Sequence, residues 1–423
     1  MLLYVLIGLP LLSLAANTSP QQVHTAYGDD STTISVTWAT MAPADTAVRY
    51  SVSSVPLSLN ATGTSTPFQA GSAPVRVEYV HRVTISGLPA GGTLTYQAGS
   101  DTGGWSPVYT VRVMPSGNDW SPVLAVYGDM GTPQVGGNAR SLPLLASLAE
   151  RHAIDAVIHT GDLAYNLDDD NGQRGDDFLV AIEPVAARVP YMTVPGNHES
   201  GANFTAYKAR FTCPNRAASD NYWYSWNIGP MHIIGISTEL YFYTESLLLA
   251  PKQLAWLEAD LKAAAAARAE QPFIIIHGHR PMYCSPNDDS DACHDKLNPL
   301  RVLGIEDLMQ KYGVDLAIWA HEHAYSRSWP VFNNTVYNSS TPYLNPKAPV
   351  HLIAGAAGCP ENTDPWQAAG SPFSAFRTNA YGFGLMTANA TVLEFRQFAD
   401  INNTVVDTLR IVKDDPRPVF AEV

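Results

Sequence analysis

Residues 154–166 read IDAVIHTGDLAYN, an apolar run that stops at a turn carrying Asp162 and, three residues later, Tyr165. The same pattern recurs along the chain. VLAVYGDMG (123–131) ends on Asp129, and YMTVPGNHE (191–199) ends on Asn197 and His198. FIIIHGHRPMY (273–283) ends on His277 and His279, and LAIWAHEHAY (316–325) on His321 and His323. VHLIAGAAG (350–358) ends on small residues only. Between these runs lie helical patterns such as LPLLASLAER, DDFLVAIEPVAA and PKQLAWLEADLKAAAAARAE. Strands alternating with helices predict an α/β domain, in which the C-terminal strand ends line the ligand crevice. Asp, Tyr, Asn and His side chains from five turns therefore converge on one place.

That set is too rich in ligands for one metal, since a single zinc site takes three or four residues. Two Asp, one Tyr, one Asn and three or more His suit two cations sharing a carboxylate. Such pairs serve phosphoryl transfer by clamping the attacking and leaving oxygens of an in-line displacement. A phenolate ligand favours a hard trivalent ion, iron(III), over zinc.

Ahead of this domain the texture is β. TISVTWAT, AVRYSV, YVHRVTISGL and LTYQAG alternate apolar and polar residues between Gly, Pro and Ser clusters, as in a small antiparallel sandwich. HRVTISGLPAGGTLTYQAGS resembles a fibronectin type III module, and MPSGNDWSP (114–122) reads as a linker.

The 423 residues are 46% hydrophobic and 15% charged, enough for a large core. A net charge of −14 argues against nucleic-acid partners, which require a basic face. MLLYVLIGLPLLSLAA (1–16) reads as a secretory signal, its apolar run too short to span a bilayer. The bland alternative is a buried N-terminal strand. No later run is long enough for a membrane helix. Sequons at Asn17, Asn60, Asn203, Asn333, Asn338, Asn389 and Asn402 favour an exported glycoprotein. In such a chain the four cysteines are expected to pair, Cys284 with Cys293 across CSPNDDSDAC and, by elimination, Cys213 with Cys359.

The ordered motifs GD-M-G, GD-LA-Y, GNHE, a strand-end His and H-E-H resemble the purple acid phosphatases, which are dinuclear metallophosphoesterases. DAVIHTGDLAYNLDDDN and GHRPMYCS are most similar to the animal iron/zinc purple acid phosphatase-like branch. The resemblance covers most of the chain. With the strand pattern it implies an all-β fibronectin type III-like sandwich (20–113) and an α/β metallophosphoesterase domain (123–415), a βαβαβ two-sheet sandwich. It further implies that Asp129, Tyr165 and His323 hold iron(III), and that Asn197, His279 and His321 hold a divalent zinc, iron or manganese ion. Asp162 would bridge the two and His198 would face the substrate.

The expected activity is an acid phosphatase acting on phosphate monoesters, small molecules or phosphoproteins, through a metal-bound hydroxide. The expected setting is extracellular, vacuolar or lysosomal. Oligomeric state is not readable. A phosphodiesterase or pyrophosphatase on the same scaffold is the enzymatic alternative, and a secreted non-catalytic binding glycoprotein the alternative of another class.

Two departures from the family pattern stand out. Ala320 replaces Gly before H-E-H, and CSPNDDSDAC, with Asp288 and Asp289, replaces the paired histidines of plant relatives. Outside the motif set, His277 reads as a hydrogen-bonded wall residue, and His232 and His351 as satisfied structural histidines early on strands. Glu199 and Glu322 read as turn-fixing groups, and NYWYSWNIG (221–229) as a packed edge. LDDDNG (167–172) fails as an EF-hand, because Leu167 and Phe178 stand where acids are required. The GD at 28–29 is expected to follow no strand and to form a turn.

Overall fold

The computed structural model describes residues 17–52, 56–70, 75–135, 139–243, 248–285, 293, 297–366 and 371–414. The expected signal (1–16) and Asp288 and Asp289 lie outside them. The first domain comprises β1 (Gln21–Tyr27), β2 (Ile34–Thr40), β3 (Ala47–Ser51), β4 (Leu59–Thr62), β5 (Thr64–Ala70), β6 (Arg76–Ile85), β7 (Thr93–Ser100), β8 (Gly104–Trp105) and β9 (Tyr109–Arg112). These form two antiparallel sheets, β1-β2-β6-β5 and β4-β3-β7-β8, with β9 also pairing β7. Val36, Trp38 and Val83 from one sheet meet Val48, Leu94, Tyr96 and Val111 from the other, which is the core the alternation predicts. The GD at 28–29 does follow a strand, β1, but it forms the β1–β2 turn, where Gly28 N donates to Thr33 O.

The second domain begins with β10 (Val123–Tyr127), α1 (Leu142–Glu150), β11 (Ala156–His159), α2 (Gln173–Ala186), β12 (Tyr191–Thr193), α3 (Gly201–Arg210) and α4 (Arg216–Ser219). It continues with β13 (Trp223–Ile228), β14 (Met231–Ile236), α5 (Ala250–Ala266), β15 (Phe273–His277), α6 (Pro299–Val302), α7 (Ile305–Tyr312) and β16 (Leu316–Trp319). Then follow β17 (Tyr325–Ser328), β18 (Val331–Phe332), β19 (Thr335–Val336), β20 (Val350–Ala354), β21 (Ser374–Thr378), β22 (Gly382–Ala388), β23 (Val392–Ala399) and β24 (Thr404–Val412).

Two sheets result, ordered β12-β11-β10-β22-β23-β24 and β13-β14-β15-β16-β20-β17-β21. β10, β11 and β12 run parallel, as do β14, β15, β16 and β20. Side-chain parity builds the layers. Leu124, Val126, Ile158 and Met192 face Ile233, Ile275, Ile318 and Leu352 between the sheets. Ala125, Tyr127, Val157 and Tyr191 turn outward with the α1 and α2 residues, and Ile274, Ile276 and Ala317 with those of α5 and α7. The tryptophans of 221–229 lie on β13, a packed edge as expected.

The domains are joined by more than their connection. Thr25 Oγ1 donates to Ala186 O (2.9 Å), Tyr27 OH to Asp155 O (3.1 Å) and Tyr96 OH to Ala187 O (2.8 Å). Arg210 on α3 pairs with Glu78 on β6 at 2.6 Å and with Asp176 on α2 at 2.8 Å, all three buried. Within 114–122, Met114 is buried in the inter-sheet core and Trp120 packs against it.

Cys284 and Cys293 are bridged. The expected second bridge is not formed: Cys213 and Cys359 are both free thiols. Cys213 sits in the inter-sheet core with Sγ 3.6 Å from Thr193 O, whereas Cys359 lies in the loop after β20 with Sγ 3.0 Å from Asn362 O. Counting cysteines assumed that every exported thiol pairs; burial in separate surroundings protects these two instead.

His232 is satisfied by Asn227 Oδ1 (2.6 Å) and Asp260 Oδ2 (2.8 Å). Buried His351 accepts the Trp319 indole N–H at Nδ1 (3.0 Å), but its Nε2 has no hydrogen-bond partner among the described residues, so it is not the satisfied histidine expected. Burial, aided by the Arg301 charge, pushes its imidazolium from an ordinary 6.5 down to about 3. Between those values the unfolded chain takes up a proton that the folded state refuses. The stabilisation is therefore complete above about pH 6.5 and is lost as the pH falls toward 3. Urea denaturation at pH 6.5 and 4.5 should show wild type losing about 2 kcal/mol more than His351→Gln, whose amide oxygen can still accept from Trp319. Equal losses would place the acid sensitivity elsewhere.

Candidate metal centre

Five strands end at one rim. β10 delivers Gly128-Asp129, β11 Gly161-Asp162, β12 Gly196-Asn197, β15 Gly278-His279 and β16 Ala320-His321. Asp129, Asp162, Tyr165 and His321 hold left-handed backbone, with φ of 56°, 51°, 58° and 73°. Side chains rarely adopt this region, and it persists only where the surroundings enforce it. Here the turns interlock. A Cβ on Gly161 would sit 2.7 Å from His279 Nδ1, and one on Gly196 2.2 Å from Asp162 Oδ1.

Glu199 pins the turns together. Its buried carboxylate accepts from the Asp162, Leu163 and Gly196 amides, each at 2.9 Å. Burial and the Asp162 charge push it up to about 8. This is the turn-fixing role expected for it. Glu322, also buried, lies with Oε1 3.3 Å from Cys293 Sγ. Ala320 causes no crowding, because it is fully buried against Gly128, whose missing side chain leaves room for the methyl.

The seven residues singled out as ligands come together in two linked groups. In the first, His279 Nε2 lies 3.2 Å from Asp162 Oδ2, 3.0 Å from Asn197 Oδ1 and 3.1 Å from His321 Nδ1. In the second, His323 Nε2 lies 2.8 Å from the Tyr165 hydroxyl and 3.7 Å from Asp129 Oδ1. Asp129 Oδ2 accepts from the His321 amide at 3.0 Å and joins the groups. His198 stands at the rim: its amide donates to Asp162 Oδ1 (3.0 Å), and its Nδ1 is 2.9 Å from Asn166 Oδ1.

The donor chemistry fits cations. His279 Nδ1 faces the Thr160 carbonyl at 2.9 Å and so carries the proton, which turns the Nε2 lone pair toward the Asp162 and Asn197 oxygens. Acceptors facing acceptors need positive charge between them. Without a cation that charge is a second proton: burial opposes it, yet the Asp162 and Asp129 carboxylates outweigh burial and push the His279 imidazolium up to about 10, and a bound cation would take that proton's place. Asp129 Oδ1 is buried without a hydrogen-bond partner among the described residues, and burial drives its carboxyl well above the usual range. Burial and Asp129 likewise hold the Tyr165 phenol far above its ordinary value, so it would ionise only against a strong cation.

His277 is a correction. It is buried, but neither ring nitrogen has a hydrogen-bond partner among the described residues; its ring meets Tyr224 edge-on at 5.9 Å. Four neighbours of the centre were not foreseen. Asn166 is one. Arg280 Nη1 lies 2.9 Å from His321 Nε2 while its Nε donates to Glu239 (3.0 Å). Asp364 accepts from the His323 amide, and Glu361 stands 3.8 Å from both His198 Nε2 and His323 Nε2. Arg280 directly follows a strand-end histidine, a signal that could have been used. Glu361 and Asp364 follow the ligand-free run at 350–358 and carried none.

Comparison with known proteins agrees along nearly the whole chain. Family models match residues 20–113 (purple acid phosphatase, N-terminal domain), 122–325 (calcineurin-like phosphoesterase) and 348–408 (iron/zinc purple acid phosphatase-like protein C). The chain is 44% identical to human acid phosphatase type 7, covering 96% of this chain and 93% of the relative. It is 42% identical to the zebrafish protein of the same name, covering 95% and 93%. Among solved structures, the purple acid phosphatase PPD1 from yellow lupin seeds shares the fold with a TM-score of 0.80, at 24% identity, covering 96% of this chain and 76% of that one.

Proposed function

The chain belongs to the purple acid phosphatase family, and on that premise we propose which residues serve its centre. It is an acid phosphatase of the dinuclear metallophosphoesterase kind. Asp129, Tyr165 and His323 hold iron(III). Asn197, His279 and His321 hold a divalent zinc, iron or manganese ion, and Asp162 is shared. The observation that carries this reading is the convergence of ligand-type atoms: His279 Nε2 on Asp162 Oδ2 and Asn197 Oδ1, beside Asp129 Oδ1, which has no hydrogen-bond partner among the described residues.

When bound, the two cations would neutralise phosphoryl oxygens and acidify a water. The chain supplies the rest. Glu199 holds the Asp162 and Gly196 turns rigid before substrate arrives, so no reorganisation accompanies the reaction. Asn166 holds His198 through Nδ1, leaving Nε2 facing the cleft between the Asp162 and Glu361 carboxylates, at 3.9 and 3.8 Å. From there His198 orients the phosphate monoester or delivers a proton to its leaving oxygen. A hydrolysis rate higher on bis(p-nitrophenyl) phosphate than on p-nitrophenyl phosphate would favour the phosphodiesterase alternative.

An exported setting is supported by the Cys284–Cys293 bridge and by the exposure of all seven sequon asparagines. No described helix is long and apolar enough to cross a membrane.

Tyr165 supplies the test. A phenolate on iron(III) gives a ligand-to-metal charge-transfer band, so the oxidised protein should be coloured and Tyr165→Phe bleached. A tyrosine that only packs beneath the turn predicts unchanged spectra. Stoichiometric iron(III) with no visible band in wild type would remove Tyr165 from the ligand set.

A further inference from the structure

Away from the metal centre, the sandwich and the stretch after α3 enclose a cavity of about 580 Å³, none of whose lining residues belongs to that centre. Its sandwich wall presents Thr33, Ser35, Thr62, Thr64 and Thr84, and two arginines line it, Arg82 from β6 and Arg216 from α4. In a chain of net charge −14, both guanidiniums lack a carboxylate within ion-pair distance among the described residues.

Arg82 Nε donates to Thr212 Oγ1 at 2.9 Å and an amino group donates to Ala209 O. Arg216 Nη2 donates to Lys208 O at 3.2 Å, while its Nε is buried with no hydrogen-bond partner among the described residues. The carboxylates on the cavity wall are engaged elsewhere. Asp30 accepts from the Thr32 amide and from the Thr32 and Thr33 hydroxyls, and Asp29 Oδ1 accepts from the Asn215 amide at 2.7 Å. The guanidiniums feel one another: burial, then the Arg216 charge, holds Arg82 down to about 9. Two cations kept close with no carboxylate at ion-pair distance among the described residues are a cost that a bound anion would lower.

We propose that this interdomain cleft binds a tetrahedral oxyanion, a phosphate or sulfate group either free or carried on a sugar, between Arg82 and Arg216. Guanidinium forks match such oxygens, and the threonine and serine hydroxyls suit a hydroxylated body beside them. The volume falls within the range of small-molecule pockets and exceeds what a bare ion fills. Because the walls come from both domains, the ligand couples their association.

Hydrogen exchange of the metal-loaded protein tests this with inorganic sulfate and with N-acetylglucosamine 6-sulfate, an ester that a phosphatase leaves intact. Either probe should slow exchange at residues 28–35 and 212–217. Arg216→Gln should weaken that protection about tenfold or more in probe concentration, and Arg216→Lys less. Arg216 is preferred because among the described residues it makes one hydrogen bond, to Lys208 O, whereas Arg82 makes two, to Thr212 Oγ1 and Ala209 O, so loss of Arg82 carries the greater risk of misfolding. Phosphatase activity without added sulfate should be unchanged in both variants. Tighter protection by the sugar sulfate assigns a sugar-borne anion, and equal protection a free one. No protection in wild type by either probe, or full protection retained in Arg216→Gln, overturns the proposal.

Discussion

Asp162→Ala is expected to emerge from purification with neither cation and with activity on p-nitrophenyl phosphate lower by at least about 10²–10³-fold, the scale of losing one preorganised electrostatic contact. The carboxylate faces His279 Nε2 through Oδ2 and anchors the His198 amide through Oδ1, so its removal disturbs the first group and the rim histidine directly, and the second group through its charge, which acts on Asp129 and Tyr165. Glu322→Gln is the matched control. Glu322 is equally buried but is turned toward the Cys284–Cys293 bridge, and this variant should keep both metals. Metal content and activity measured side by side decide the matter. Two metal equivalents retained by Asp162→Ala would show that this carboxylate is not shared.

Arg210→Met should lower unfolding free energy by about 3–5 kcal/mol, because it strands buried carboxylates. Glu78 loses its 2.6 Å partner and Asp176 one of its two, Arg76 being the other. Urea denaturation measures the loss. Adding Glu78→Gln to Arg210→Met should restore part of it, because the stranded charge is then gone. An effect below about 1 kcal/mol would mean that water reaches the pair and that the domains are not held by it.

The strand-end pattern was sufficient to bring the candidate ligands to one rim, because an apolar run and the turn after it are contiguous and the sheet does the rest. β10, β11, β12, β15 and β16 each end within a residue or two of where the apolar run stops, and their turns meet. What escaped depended on contacts between distant segments. Period-two alternation placed His277 and His279 on one face, but β15 ends at His277 and the chain turns at Gly278, so only His279 reaches the crevice. Glu361 and Asp364 approach His323 from a loop that local pattern does not place. Cys213 and Cys359 could be counted but not located. The turn at Gly28-Asp29 was read, but not the strand before it, because β1 is buried along almost its whole length and shows little alternation.

The left-handed backbone at Asp129, Asp162, Tyr165 and His321 sets a trap for laboratory evolution. Each of these residues costs the fold about 1 kcal/mol or more that glycine would not, and Asp129 adds a buried oxygen with no hydrogen-bond partner among the described residues. A library sorted for heat resistance alone under metal-free conditions, where bound cations do not stabilise the fold, is therefore expected to enrich Asp129→Gly and its like, and such survivors are expected to be inert. Thermal selection on this chain needs a turnover gate in every round.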